Sequence, residues 1–248
     1  MSWSVIGWIL IGLTALLLVF FTFINKGKTT YPIRHLRAVE DHDSARVSAI
    51  EQGKEQHVVL GNQLLSRRYP GLGLLSLATL PAFLDSETVA NGRMIVTASD
   101  GTLVVFANQI IQQEYREGFS LALHADHIYT VMRGTSPLSF TAGTLPEIAA
   151  DDFGSLAMFG NLGPEAALWA SAAERNGEPF AAAGSLDSQA ALYINMRDLL
   201  IGEEAYMLPA ALSPNAGKQS TVLTEDLLRA LLMVLLAAAA VLKMAGIL

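Results

Sequence analysis

The stretch GSLAMFGNLGPEAALWASAAERNG, residues 154–177, places a strand, a turn and a helix in direct succession. The short apolar run 155–159 predicts a buried strand, and Gly160–Gly163 predicts a tight turn after it. Pro164 suits the first position of a helix, and Asn176-Gly177 suits its end. The segment therefore predicts one strand–turn–helix unit of an α/β fold.

The same alternation of apolar and helical segments continues on both sides of this unit. The predicted strands cover residues 57–62, 93–99, 128–132, 138–141 and 179–185. The predicted helices cover residues 44–52, 71–92 with a break at Pro81, and 100–118. Continuous apolar strands that alternate with helices are typical of a parallel sheet buried on both faces. We therefore predict an α/β domain with a mostly parallel sheet flanked by helices, doubly wound or similar.

The composition excludes several classes of protein. Of the 248 residues, 52% are hydrophobic and only 16% are charged, against about 25% charged in an average soluble domain. The net charge is −7, and no basic stripe of the kind that binds nucleic acid is visible, so nucleic acid is not an expected partner. The chain has no cysteine, which excludes disulfides, thiolate metal ligands and cysteine nucleophiles.

The apolar excess lies at the two ends of the chain. Residues 3–24 contain no charged side chain and would reach about 33 Å as a helix, enough to cross a bilayer. No Lys or Arg precedes this segment, so we expect a retained anchor and not a cleaved signal peptide. Residues 227–248 form a second apolar segment that contains Arg229 and Lys243 near its ends. This segment is also predicted to cross the membrane. The alternative is a helix that packs in a groove of a partner protein.

The basic residues near these segments predict an orientation. Those on the inner side of the two segments are Lys26, Lys28, Arg34, Arg37, Arg46, Lys218 and Arg229. The positive-inside rule then predicts an inner-membrane protein with two spans and a cytoplasmic central domain, in contact with the lipid bilayer. The predicted division of the chain is helix 1–25, linker 26–43, α/β domain 44–213, linker 214–225 and helix 226–248.

Six residues are predicted to lie at the carboxyl-end side of the sheet, where open parallel sheets bind ligands. They are Asp100, Gly160, Asn161, Gly163, Glu203 and Glu204. We predict that they bind a small anionic ligand. The structural alternatives are that Asp100 caps a helix and that the glycines form an ordinary turn, because the segment matches neither a P-loop nor GxGxxG. Glu165 would also repel an anion at this turn.

Glu203 and Glu204 stand inside the apolar stretch DLLIGEEAYMLPAALSP, residues 198–214. Adjacent residues of a helix point about 100° apart, so the two carboxylates need not converge on one substrate. Acids in the first turn of a helix favour its dipole. We predict that at least one of the two is partly buried and bonded to backbone.

No reaction or cofactor is predicted. The histidines and acids of HADHIY (124–129) cannot all face one way on a helix or a strand, and EDHDS (40–44) is most simply a solvated linker. We therefore predict no metal site. There is no G-x-S-x-G nucleophile motif, and the residues indicate no catalytic group.

Two blocks carry a resemblance to a known family, SARVSAIEQGKEQHVVLGN (44–62) and LLIGEEAY (199–206). They are similar to an uncharacterised prokaryotic family of membrane-anchored proteins, described as a domain of unknown function. The resemblance covers about residues 33–213, and Pro209 departs from the Ala-rich helix expected there. It implies a cytoplasmic domain on a membrane anchor and implies no reaction or cofactor.

Three functions are compatible with these patterns. The first is a scaffold or accessory subunit of an oligomeric membrane assembly that binds itself or other membrane subunits. The second is a membrane-tethered domain that binds or processes a small anionic ligand at the strand ends. A transporter or channel subunit ranks last, because neither apolar segment carries a polar residue that marks a pathway.

Overall fold

The computed structural model describes residues 3–25, 36–66, 68–69, 71–84, 93–116, 128–175, 177–212 and 216–244. The chain divides into two compact units. One comprises residues 35–212, and the other combines residues 1–34 with residues 213–248.

The unit of residues 35–212 is built on a six-stranded parallel sheet of order β3-β2-β1-β4-β5-β6. The strands are β1 (Glu55–Gly61), β2 (Met94–Ala98), β3 (Ile128–Met132), β4 (Phe153–Asn161), β5 (Glu178–Ala183) and β6 (Asp198–Ile201). Val58 of β1 is paired with Val96 on one side and with Ala157 on the other. The prediction of a parallel α/β sheet is confirmed. Strands β2 and β3 lie on one side of β1, and strands β4, β5 and β6 lie on the other. The junction between β1 and β4 is therefore the topological switch point.

Two layers of helices cover the sheet. The helices of this unit are α2 (Arg37–Glu51), α3 (Leu72–Leu84), α4 (Gly101–Arg116), α5 (Pro137–Ile148), α6 (Ala166–Ala173), α7 (Leu186–Asn195) and α8 (Glu203–Leu212). Helices α5, α6 and α7 pack together on one face, while α3 contacts α4 and α8 on the other. Met158 packs in the core under α5, α6 and α7, whereas the next residue, Phe159, lies against Phe83 of α3. Strands β2 and β4 are therefore buried on both faces, which explains why they are mostly apolar.

Several predicted elements differ from the structure. Residues 138–141 form part of α5 and not a strand, because the side chain of Ser136 accepts from Ser139 N in a capping box that starts a helix. Helix α2 begins at Arg37, seven residues before the predicted start, so the EDHDS segment is helical and its His42 is buried. Pro81 lies inside α3 near its end, where a missing N–H removes only one hydrogen bond. Strand β6 was not predicted.

The second unit consists of α1 (Trp3–Asn25) and α9 (Ala216–Met244), which pack against each other. The hydroxyls of Thr22 and Ser220 lie 3.0 Å apart between them.

Within the described part of the chain, no helix combines the length and the apolar character needed to cross a membrane. Charged residues interrupt the first half of α9, namely Lys218, Glu225, Asp226 and Arg229. The prediction of two transmembrane helices is contradicted, and so is the inner-membrane location derived from it.

Candidate functional site

The carboxyl ends of β1 and β4 are held together at the switch point by close backbone contact. Asn62 N donates to Asn161 O across 2.8 Å. Gly61 has a φ of +85°, and a Cβ there would lie 2.8 Å from Asn161 N. Gly160 has a φ of +106°, and its Cβ would lie 2.6 Å from Leu60 O. Only glycine fits both positions without strain, so these glycines close the junction and do not open a crevice for a ligand.

The turn after β4 already holds an anion, which is the carboxylate of Glu165. This side chain is 9% exposed, and its Oε1 accepts from Asn62 Nδ2 at 2.6 Å and from Gly163 N at 3.1 Å. The N–H of Gly163, which could bind a ligand's phosphate or carboxylate, is thus engaged by the chain itself. Gly160, Asn161 and Gly163, predicted as ligand residues, surround this internal contact.

Asp100 follows β2 and caps the first turn of α4. Its Oδ1 accepts from Thr102 N at 2.9 Å, and its Oδ2 accepts from Leu64 N at 3.1 Å. Partial burial acts to raise the pKa of Asp100, but the hydrogen bonds from Leu64 and Thr102 outweigh it and lower the pKa below its ordinary value. Asp100 is therefore an ionised cap that also fixes the loop after β1.

Glu203 and Glu204 occupy the first turn of α8, directly after β6 and Gly202. Both side chains are half-buried. Strand β6 stands at the edge of the sheet, four strand positions from β2, or about 19 Å at the usual spacing. The six predicted residues therefore fall at three separate strand ends and do not form one site.

A polar cleft of about 770 Å³ opens at the carboxyl ends of β1, β2 and β3. We call it the β1–β3 cleft. It is lined by Asn62, Gln63, Leu65, Ser66, Arg68, Ser99, Asp100, Gly101, Met132 and Thr135. Asp100 is the one predicted site residue among them. Met132 ends β3 and Gly101 begins α4, and the others lie in loops after strands. The run after β1 (NQLLSRR, residues 62–68) was the sequence signal for this cleft.

Arg68 is the single cationic side chain among these ten lining residues. Its Nη1 lies 3.1 Å from Oδ2 of Asp187 in the first turn of α7. The side chains are 67% and 55% exposed. The ion pair ties the loop after β1 to a helix on the far side of the switch point.

The EDHDS segment places His42 in the core, where its ring stacks on Phe180 with centroids 4.7 Å apart. Neither ring nitrogen of His42 has a hydrogen-bond partner. Burial, together with the charge of Arg46, lowers the pKa of His42 to about 3. No group of three or more His, Asp or Glu among the described residues is arranged to hold a metal ion. His124, Asp126 and His127 lie outside the described residues.

A second buried histidine joins a chain of polar side chains beneath α5. Nε2 of His57 lies 2.9 Å from Thr97 Oγ1, and its Nδ1 lies 4.0 Å from Glu147 Oε2. Glu147 is paired in turn with Arg133. The order of hydroxyl, imidazole and carboxylate is that of a nucleophilic triad, but Thr97 is fully buried. A nucleophile must reach its substrate, so this network is a packing feature.

A second cavity, of about 670 Å³, lies at the opposite edge of the sheet beside α2. Its charged lining includes Arg37, Asp41, Arg197 and Asp198. Partial burial, followed by the charges of Asp41 and Glu178, raises the pKa of Asp198. The cavity lies away from the carboxyl ends of the strands, where parallel sheets bind their ligands.

Comparison with known proteins identifies a family and no activity. Curated proteins give no match. Among solved structures, the chain is similar to the crystal structure of Mycobacterium tuberculosis shikimate dehydrogenase, with 13% identity and a TM-score of 0.31. That similarity covers 74% of this chain and 62% of the other, so the chain spans less than two thirds of it.

A family model described as a domain of unknown function, DUF6754, matches residues 2–248. The match confirms the resemblance to an uncharacterised family and does not test the anchor or the LIGEE motif. With nearly the whole chain matched, the protein belongs to the DUF6754 family.

Proposed function

We propose that the α/β unit binds a small polar molecule that carries one anionic group, in the β1–β3 cleft. The observation that carries this proposal is the position of the cleft at the carboxyl ends of β1, β2 and β3. Open parallel sheets bind ligands outside the carboxyl ends of their strands; here Glu165 fills the switch point between β1 and β4, so the open space at this edge lies on the β1–β3 side. The volume of about 770 Å³ lies within the range of ordinary ligand pockets.

The lining favours a ligand rich in hydroxyl groups. Asn62, Gln63, Ser66, Ser99 and Thr135 supply amides and hydroxyls that both donate and accept hydrogen bonds. Arg68 supplies a guanidinium that suits a phosphate or a carboxylate. A sugar phosphate or a nucleoside monophosphate has this combination of groups.

Two features argue against a dinucleotide. The loop after β1 lacks the glycine fingerprint that brings backbone close to a pyrophosphate, and α3 begins only at Leu72. In the turn between β4 and α6, the N–H of Gly163 is already bonded to Glu165. The cleft thus suits one anionic group, held by a side chain.

The same lining favours binding over catalysis. Among its ten residues there is no His, Lys or Cys. The one carboxylate, Asp100, has a lowered pKa, and a general base at neutral pH works best with a pKa near 7. We therefore propose a ligand-binding domain.

Thermal unfolding of the full chain with ribose 5-phosphate, nucleoside monophosphates and organic acids tests the proposal. A true ligand at 100 times its Kd stabilises the folded state by about 2.7 kcal/mol. Gln63→Trp fills the cleft and is expected to abolish the shift, while Gln112→Trp, on the exposed face of α4, leaves it intact. Equal shifts in the two variants would place binding elsewhere, and no shift with any compound would reject the proposal.

A role as a scaffold or accessory subunit of an oligomer stays a second proposal. The observation behind it is that three leucines at the starts of neighbouring helices are exposed, namely Leu138, Leu168 and Leu186. Light scattering of the purified chain across a concentration series measures the oligomeric state. A monomer at every concentration would contradict self-association.

A further inference from the structure

We infer that Asp187 is an internal competitor for Arg68, so that the anionic group of a cleft ligand binds by displacing the Asp187 carboxylate. The inference rests on the proposed function. It adds that Arg68 selects for anionic ligands and that Asp187 limits their affinity.

Arg68 can contact either the Asp187 carboxylate or an anion in the β1–β3 cleft. Its side chain lines the β1–β3 cleft, yet its Nη1 lies 3.1 Å from Asp187 Oδ2. Asp187 itself does not line the cleft. A guanidinium has five N–H donors in a flat fork and binds phosphate or carboxylate through two of them. The Asp187 contact occupies one donor atom of the fork and offsets its charge, so a ligand anion gains the full attraction of Arg68 only when the guanidinium turns away from Asp187.

The existing pair is easily exchanged. Both side chains are more than half exposed, and an ion pair of that kind contributes little to stability because water and salt screen it. The ring of Tyr69 lies 5.4 Å from the guanidinium carbon, so Arg68 keeps one contact while it changes its anionic partner.

The other charge of the cleft cannot take the place of Asp187. Both carboxylate oxygens of Asp100 accept backbone hydrogen bonds, from Leu64 N and Thr102 N. Asp100 therefore stays at its cap and faces the hydroxyl-bearing part of a ligand. Selection of an anionic ligand depends on Arg68 alone among the described lining residues, and Asp187 occupies Arg68 when no such ligand is bound.

The test compares ribose 5-phosphate with ribose, and AMP with adenosine, by titration calorimetry on the full chain. Asp187→Asn keeps the size of the side chain and removes its charge. We expect it to tighten binding of each phosphate compound about two- to five-fold, the factor that matches an exposed ion pair, and to leave the neutral compounds unchanged. Arg68→Gln is expected to abolish the preference for phosphate, and Asp187→Asn added to Arg68→Gln is expected to have no further effect.

Two matched controls separate this from a change in net charge. Asp151→Asn removes an exposed acid, and Arg175→Gln removes an exposed base. Neither residue lines the cleft, so neither control is expected to change the phosphate preference.

The outcomes distinguish the inference from the proposed function. Equal phosphate affinities in the wild type and Asp187→Asn would overturn the inference while the binding function stands. Weaker phosphate binding by Asp187→Asn would also overturn it, since Asp187 would then orient Arg68 for the ligand. Absence of binding by every compound, to the wild type and to Asp187→Asn, would overturn both.

Discussion

The side-chain amide of Asn62 donates to Oε1 of Glu165 across 2.6 Å and so joins the loop after β1 to the turn before α6. The same oxygen accepts from Gly163 N. The contact spans the switch point, the position at which a sheet of this order usually admits its ligand. The protein fills that position with its own carboxylate and leaves the open space on the β1–β3 side.

Removal of this carboxylate is expected to destabilise the fold. Glu165→Ala leaves Asn62 Nδ2 and Gly163 N without their acceptor in a mostly buried place, which lowers the free energy of unfolding by about 1–3 kcal/mol. Urea denaturation of the full chain measures the loss. Glu174→Ala, at an exposed position after α6, is the control and is expected to change stability by less than about 0.5 kcal/mol. Similar losses in the two variants would show that the Asn62–Glu165 contact is unimportant.

The close approach of β1 and β4 predicts unequal effects of two glycine substitutions. Gly61 and Gly53 both have positive φ, +85° and +70°, so alanine is strained by about 1 kcal/mol at either site. A Cβ on Gly61 would also lie 2.8 Å from Asn161 N, whereas Gly53 has open space around it. We expect Gly61→Ala to lower the free energy of unfolding by at least about 1 kcal/mol more than Gly53→Ala. Equal losses in urea denaturation would show that β1 and β4 move apart to admit the methyl group without a further loss of stability.

Local patterns were sufficient to predict most of the sheet. Strand β3 was predicted at its observed bounds, residues 128–132, and β4 was predicted within one or two residues at each end. Strand β4 is an apolar run bounded by turn residues and is buried along almost its whole length, so the composition alone identifies it. Strand β6 has four residues, which is too short for a periodic signal.

The candidate site was harder to predict, because it depends on strand order. Asp100 follows a strand, as predicted, whereas Glu203 follows β6, a strand that was not predicted. The sequence did not reveal that β2 and β6 lie on opposite sides of the switch point. The role of Glu165 as an acceptor for Asn62 depends on a contact between residues 103 positions apart, which no local pattern encodes.

The two buried histidines predict a loss of stability in mild acid. Burial comes first in lowering the pKa of His42 and of His57 to about 3, and the charges of Arg46 and Arg133 add to it. In the unfolded chain each histidine has a pKa near 6.5. Between this pH and about pH 3, the imidazole is therefore protonated in the unfolded chain and neutral in the folded protein. Stability is thus full above pH 6.5 and falls as the pH drops toward 3. Between pH 7.5 and 5.5 each histidine accounts for about 1.4 kcal/mol.

His42→Leu tests this assignment. Since neither ring nitrogen of His42 has a partner, the substitution is expected to leave stability at pH 7.5 equal or higher. It is also expected to reduce the loss between pH 7.5 and 5.5 by about 1.4 kcal/mol. Urea denaturation at both values measures the difference, and a variant with the same loss as the wild type would exclude His42 as its source.

A buried hydrogen bond of the Trp169 indole leads us to expect a loss of stability when its acceptor on α5 is removed. Trp169 is fully buried, and its Nε1 donates to Oγ1 of Thr144 on α5. Thr144→Val keeps the shape of the side chain but removes the acceptor, so the buried N–H loses its partner at a cost of about 1–3 kcal/mol. Thr141→Val is the matched control, because the Thr141 hydroxyl bonds only to Pro137 O of its own helix, and a loss below about 1 kcal/mol is expected. Urea denaturation followed by tryptophan fluorescence measures both variants. Equal losses would show that the indole bond to α5 adds nothing beyond the removal of a buried hydroxyl.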